Sequence, residues 1–130
     1  MRMIEQDQES NETEVTWEDQ QKINLFSKLN TRMKAFEAKL EAVKQEKEAL
    51  DDLSTELELA DEDEPILYKI GESFLHMPLP RALKRLEKDQ ADVDDRLSKL
   101  SESSQECEDE MKKLKVALYA KFGSAINLDE

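Results

Sequence analysis

Glycine, proline and cysteine are nearly missing from this chain of 130 residues. The two glycines, Gly71 and Gly123, stand far apart, so no phosphate-cradling loop can be built from them. One cysteine, Cys107, excludes an intrachain disulfide and a cysteine-rich metal site, and favours a reducing, cytosolic setting. Aromatic residues make up only 5%, too few for a large globular core. Cations fall well short of anions. The net charge of -13 opposes contact with nucleic acid or an anionic membrane surface. No apolar run is long enough to span a bilayer, and the start MRMIEQDQES has no apolar segment of the kind a secretory leader needs.

What remains is charge and helix-forming residues. Charged side chains make up 39% of the chain, which with so little glycine points to long helices. Residues 1–15 carry no apolar period and read as a disordered acidic tail. Thr16 with Asp19 three residues on has the spacing of a capping box, and Glu18 and Asp19 suit the positive end of a helix. From there Phe26, Leu29, Met33, Phe36, Leu40 and Val43 fall at the a and d positions of a heptad, which predicts a helix over 16–60. A second helix is predicted over 80–122, with a cleaner seam: Leu83, Leu86, Val93, Leu97, Leu100, Cys107, Met111, Leu114 and Leu118. Gly123 suits the stop, and 124–130 form a short tail. Two helices of similar length predict a mainly α fold, an antiparallel two-helix coiled coil. Pairing seam residues whose numbers sum to about 140 sets Lys47 by Val93, Leu50 by Gln90, Met33 by Cys107 and Phe36 by Ser104, so each polar seam residue meets an apolar one.

All three prolines lie in DEDEPILYKIGESFLHMPLP, residues 61–80. Within it Ile66, Tyr68 and Ile70 alternate with Leu67 and Lys69. Gly71 follows, and then Phe74 and Leu75. This predicts a β-hairpin over 65–77, with Gly71 first in a type II′ turn and Pro65 and Pro78 at the ends. A lone hairpin is marginal in water, and its open edges invite further strands. Ile66, Tyr68, Ile70, Gly71, Phe74 and Leu75 are therefore expected to join an inter-subunit β-barrel. The alternative is a hairpin that folds back onto its own helices.

No catalytic, cofactor-binding or metal-binding residue is expected, so an enzyme finds no support. The acids read as solvated helix faces, and the run DEDE lacks the glycine and terminal glutamate of a calcium loop. His76 has no second ligand nearby in sequence and reads as an outward strand residue. Cys107, on the seam, reads as a small buried hydrophobe.

The stretches TWEDQQKINLFSKL, ELADEDEPILYKIGESFL and LYAKFGSAINLDE resemble the β-class prefoldins, over about residues 13–130. The last stretch, with Tyr119, Lys121, Phe122, Gly123, Ile126, Asn127 and Leu128, is one that heptads do not explain. The resemblance implies one subunit of a cytoplasmic hetero-hexamer, with a nuclear location also open, of two α-class chains and three further β-class chains. It implies hairpins joined in a β-barrel and coiled coils projecting from it. It implies an ATP-independent co-chaperone that holds non-native actin and tubulin at the coiled-coil tips and delivers them to the cytosolic group II chaperonin. Trp17, Ile23, Phe26, Leu118, Phe122, Ile126 and Leu128 gather where both helices end, more apolar residues than one seam can cover. Phe26 and Leu118 are expected to bury each other. Trp17, Ile23, Phe122, Ile126 and Leu128 are expected to meet client or chaperonin, the last three through exposure. A coiled-coil adaptor or tether without chaperone activity is the competing reading.

Overall fold

The structure is a computed structural model, and it describes residues 2–3 and 14–128. Most of the expected acidic tail over 1–15 therefore lies outside the described residues. In chain order the elements are β1 (Arg2–Met3), α1 (Trp17–Glu58), β2 (Ile66–Ile70), β3 (Ser73–Met77), α2 (Leu79–Phe122), a 3-10 turn (Gly123–Ala125) and β4 (Ile126–Asn127). The fold is mainly α, two long helices with a hairpin between them. The chain divides into two compact units, residues 1–38 with 102–130, and residues 39–101.

Both ends of α1 follow from local chemistry. The Thr16 N–H donates to Asp19 Oδ2 at 3.0 Å, and the Asp19 N–H donates to Thr16 Oγ1 at 3.1 Å. This reciprocal pair satisfies two donors that the helix start leaves free. At the other end the Leu59 and Ala60 N–H groups reach back only three residues, to the carbonyls of Glu56 and Leu57. The last turn tightens, Asp61 closes a turn onto the Glu64 and Asp63 N–H groups, and Pro65 prevents any return to helix. The α2 helix begins on the Pro78 carbonyl, which accepts from the Arg81 and Ala82 N–H groups. Pro80 sits in the first turn, where its missing N–H costs nothing.

In the unit formed by 39–101, the expected register holds at its centre. Lys47, Leu50, Gln90 and Val93 line one cavity of about 220 Å³. Two ion pairs bridge the helices there, Lys47 to Asp94 at 2.6 Å and Arg96 to Glu46 through two bonds of 2.7 and 3.1 Å. Both are exposed, so they set alignment more than stability. The hairpin packs back on this unit. Tyr68 and Met77 are buried with Leu57, Leu79, Ala82 and Leu86, and Ile66 and Ile70 lie against the same cluster. The helices thus offer more cover than the sequence suggested, because Ala82, fully buried, leaves room beside it for larger neighbours. The Tyr68 hydroxyl donates to Asp89 Oδ2 at 2.8 Å, and Arg85 Nε donates to the same carboxylate. Burial, with the nearby Asp89 carboxylate, pushes the Tyr68 hydroxyl well above its usual pKa.

In the other unit the seam bonds fall one position from those expected. Ser104 Oγ donates to Met33 Sδ at 3.8 Å, where the pairing sets it by Phe36, and Cys107 Sγ donates to the Leu29 carbonyl at 3.4 Å, where the pairing sets it by Met33. A seam side chain inserts among several on the other helix, so a sum rule fixes the level only to about one turn. Burial pushes the Cys107 thiol up, which keeps it protonated and unreactive.

Replacing Tyr68 by phenylalanine removes a hydrogen bond to a carboxylate while keeping the ring. The expected cost is about 1.5–3 kcal/mol. Urea unfolding of the two forms checks it, and equal midpoints would show that the bond contributes nothing.

Candidate functional site

Two surfaces carry the apolar residues that the helix seam leaves over. The first is the hairpin. Its register pairs Ile66 with Met77, Leu67 with His76, Tyr68 with Leu75, Lys69 with Phe74 and Ile70 with Ser73. Directly opposed residues of an antiparallel pair share a face. Ile66, Tyr68, Ile70, Leu75 and Met77 therefore lie on one side, and Leu67, Lys69, Phe74 and His76 on the other. Gly71 has φ +62 and no non-glycine residue described has positive φ, so the two-residue loop Gly71–Glu72 turns at the glycine as a type II′ turn requires.

This division separates the residues expected to join the assembly by their burial within the chain. Ile66, Tyr68 and Ile70 pack on the chain's own helices, with Tyr68 only 1% exposed. Phe74 and Leu75 remain available at 57% and 52% exposure. Leu67, 52% exposed and on the face of Phe74, is an outward residue that sequence reasoning passed over. The signal was present. A two-residue loop fixes which side chains share a face, so Leu67 had to stand with Phe74 and opposite to Tyr68. His76 is exposed on that same outer face. Among the described residues, no group of three or more His, Cys, Asp or Glu is placed to hold a metal ion.

The second surface lies where α1 begins and α2 ends. Ile23, Phe26, Leu118, Phe122, Ala125, Ile126 and Leu128 form one buried cluster, with Met111, Leu114 and Tyr119 packed against it. The expected mutual burial of Phe26 and Leu118 is found. The expected exposure of Phe122, Ile126 and Leu128 is not, since they are 2%, 4% and 2% exposed, and Ile23 is buried with them. The cause is the backbone after α2. Gly123 has φ +56, a left-handed conformation that ends the helix without strain. The chain then runs through the 3-10 turn into β4 and back over the cluster, where the Leu128 N–H donates to the Tyr119 hydroxyl oxygen at 3.3 Å. Of the expected contact residues only Trp17 stays open, at 75%. Val15 and Val116 are also exposed.

One charged group anchors this end. Asp19 is buried, and it accepts from the Thr16 N–H and from Lys121 in the last turn of α2. The bond from Lys121, then that from the Thr16 backbone, hold the Asp19 carboxyl at about 2, well below the usual 3.8.

The model of the prefoldin subunit family matches residues 20–125. The chain is 45% identical to prefoldin subunit 4 of Saccharomyces cerevisiae, over 99% of both chains. It is 34% identical to prefoldin subunit 4 of Homo sapiens, covering 88% of this chain and 87% of the human one. Among solved structures, the prefoldin beta subunit of Thermococcus strain KS-1 shares the fold, with a TM-score of 0.72 over 83% of this chain and 95% of that one, at 13% identity. The chain therefore belongs to the prefoldin subunit family, a family of chaperone subunits, and its relatives of highest identity above bear the name prefoldin subunit 4. Membership implies assembly with other prefoldin subunits. No helix among the described residues is long and apolar enough to cross a membrane.

Asp19 titrates at about 2 when folded and near 3.8 when unfolded, so its contribution is complete above about pH 4 and is lost as pH falls through 2. Asp19→Asn should lower the melting temperature at pH 7. The gap between the two forms should narrow below pH 4 and close near pH 2. A gap that stays constant with pH would mean that the carboxylate charge is not what matters.

Proposed function

We propose that this chain is one β-class subunit of a hetero-hexamer with two α-class and three further β-class chains, that its hairpin joins a shared β-barrel, and that its helix ends help to hold non-native proteins. In this reading the complex acts in the cytoplasm without ATP, captures chains such as actin and tubulin, and delivers them to the cytosolic group II chaperonin. The observation that carries it is the two-sided hairpin. One side is covered by the chain's own core except at Leu75. The other presents Leu67 and Phe74, each more than half exposed, on a strand pair whose outer edges have no neighbour among the described residues. Exposed apolar strands of this kind find cover in strands of other subunits.

The helix-end surface supports the second half of the reading. Trp17 stands open in the first turn of α1, and tryptophan gives a large apolar contact area with little loss of conformational freedom. One such contact is weak. Several tips acting on one long client give avidity without requiring a specific sequence. The net charge of -13 keeps these apolar patches soluble.

The test begins with the mass of the purified chain alone and then mixed with a set of α- and β-class partners. Entry of one copy into a hexamer is expected. A stable monomer that ignores the partners would leave the tether reading in its place. Leu67→Asp with Phe74→Asp should abolish entry, because two charges would be forced into an apolar sheet. The same variant should keep its helical circular dichroism, since neither side chain belongs to the chain's own core. Trp17→Ala should enter the hexamer normally and suppress aggregation of denatured actin several-fold less well. Wild-type suppression by that variant would remove Trp17 from the holding surface.

A further inference from the structure

The β4 strand is a backbone edge in use. Arg2 pairs with Asn127 and Met3 with Ile126, antiparallel, so a segment remote in sequence is laid along the end of the chain. The ladder is two residues long, well short of the five or six of an ordinary strand, and so opens readily. The other side of the strand is fixed. Ile126 is buried in the helix-end cluster, and the next residue, Leu128, is tied by its N–H to Tyr119. Where β4 ends, Leu128 lines a groove of about 350 Å³ together with Phe26, Met33 and Met111. Methionine side chains are unbranched and polarizable, and adapt to partners of varied shape. The rim carries both signs of charge, including Glu37 and Lys112.

We propose that β4 accepts extended apolar segments of a non-native chain by strand addition, that a side chain of the added strand enters the methionine-lined groove, and that Arg2–Met3 holds the same edge in cis as a displaceable placeholder. The inference rests on the chaperone reading above and gives it a mechanism. Strand addition draws its affinity from main-chain hydrogen bonds, which every polypeptide can make, while a pocket receives alternate side chains. An unfolded client is recognised in this way by what it exposes, a free backbone with apolar side chains, and not by its sequence. The placeholder shields the edge from strands of other complexes when no client is present. It also lowers the apparent affinity for client by the fraction of time that it occupies the edge.

The test uses the assembled complex and a reduced, carboxymethylated protein as a permanently unfolded probe. One variant lacks residues 1–13. A second carries Arg2→Cys with Asn127→Cys. Directly opposed strand residues have Cα atoms about 4.5–5.5 Å apart, within reach of a disulfide, so oxidation locks the placeholder. Truncation should tighten probe binding about three- to tenfold, as removal of a competitor present for two-thirds to nine-tenths of the time requires. The oxidised lock leaves the edge no free fraction, so it should abolish this edge's contribution to probe binding, and reduction should restore it. In the truncated complex, the amides of residues 126 and 127 should gain protection from hydrogen exchange when probe is added. Binding that is indifferent to both the truncation and the lock, or weakened by the truncation, would overturn the proposal and leave the chaperone reading standing. A wild-type complex that binds no unfolded probe would overturn both.

Discussion

A seam between two helices buries the a and d positions, about two residues in seven, and little else. Everything apolar that falls off the seam needs some other cover. That constraint organises each unit. In residues 39–101 the cover is one face of the hairpin, with Tyr68 and Met77 closing over Leu57, Leu79 and Leu86. In the other unit it is the chain after Gly123, with Ala125, Ile126 and Leu128 closing over Phe26, Leu118 and Phe122. In both cases the covering segment lies outside the α-helices and contains or follows one glycine with positive φ. Among what stays outside are Leu67, Phe74 and Leu75 on the hairpin and Trp17 at the first turn of α1. The surfaces proposed for assembly and for client holding are the remainder of an incomplete burial.

The sequence carried the local part of this plainly. Thr16 and Asp19 announce a capping box, Pro65 an end, Gly71 a turn and the heptads a seam, because each is decided by neighbours a few residues away. The register near Lys47 and Gln90 was also legible, since complementary size and polarity leave few choices there. The fate of residues 122–128 was not. A run with neither a period of two nor of 3.6 gives no face to assign, and its burial depends on Ile23 and Phe26 about a hundred residues earlier. The bond between Lys121 and Asp19, and that between Tyr68 and Asp89, are likewise tertiary facts with no local sign. The hairpin lay between these limits. Its existence was clear, and its facing could have been worked out from the loop length.

Charge serves two ends in this chain. The long exposed faces carry the acidic excess that keeps apolar patches from meeting one another in solution. The few charges that are placed with care do something else. Asp19 ties the start of α1 to the end of α2, and Glu46, Lys47, Asp94 and Arg96 align the helices across the seam. Exposed pairs of the latter kind contribute little energy, but a shift of register would separate both at once.

The bond from Tyr68 to Asp89 also bears on how fast subunits can meet. It fixes the hairpin on α2 within the single chain, with Arg85 steadying the acceptor. The outer strand face is thus shaped within the chain, and in the proposed assembly docking has no hairpin folding step to wait for. Association then loses little conformational entropy, and its rate is governed by orientational search, in the range of about 10⁵–10⁷ M⁻¹s⁻¹ usual for preformed surfaces. In that proposed assembly the heat-capacity change would reflect the apolar area covered at the hairpin, without a contribution from coupled folding.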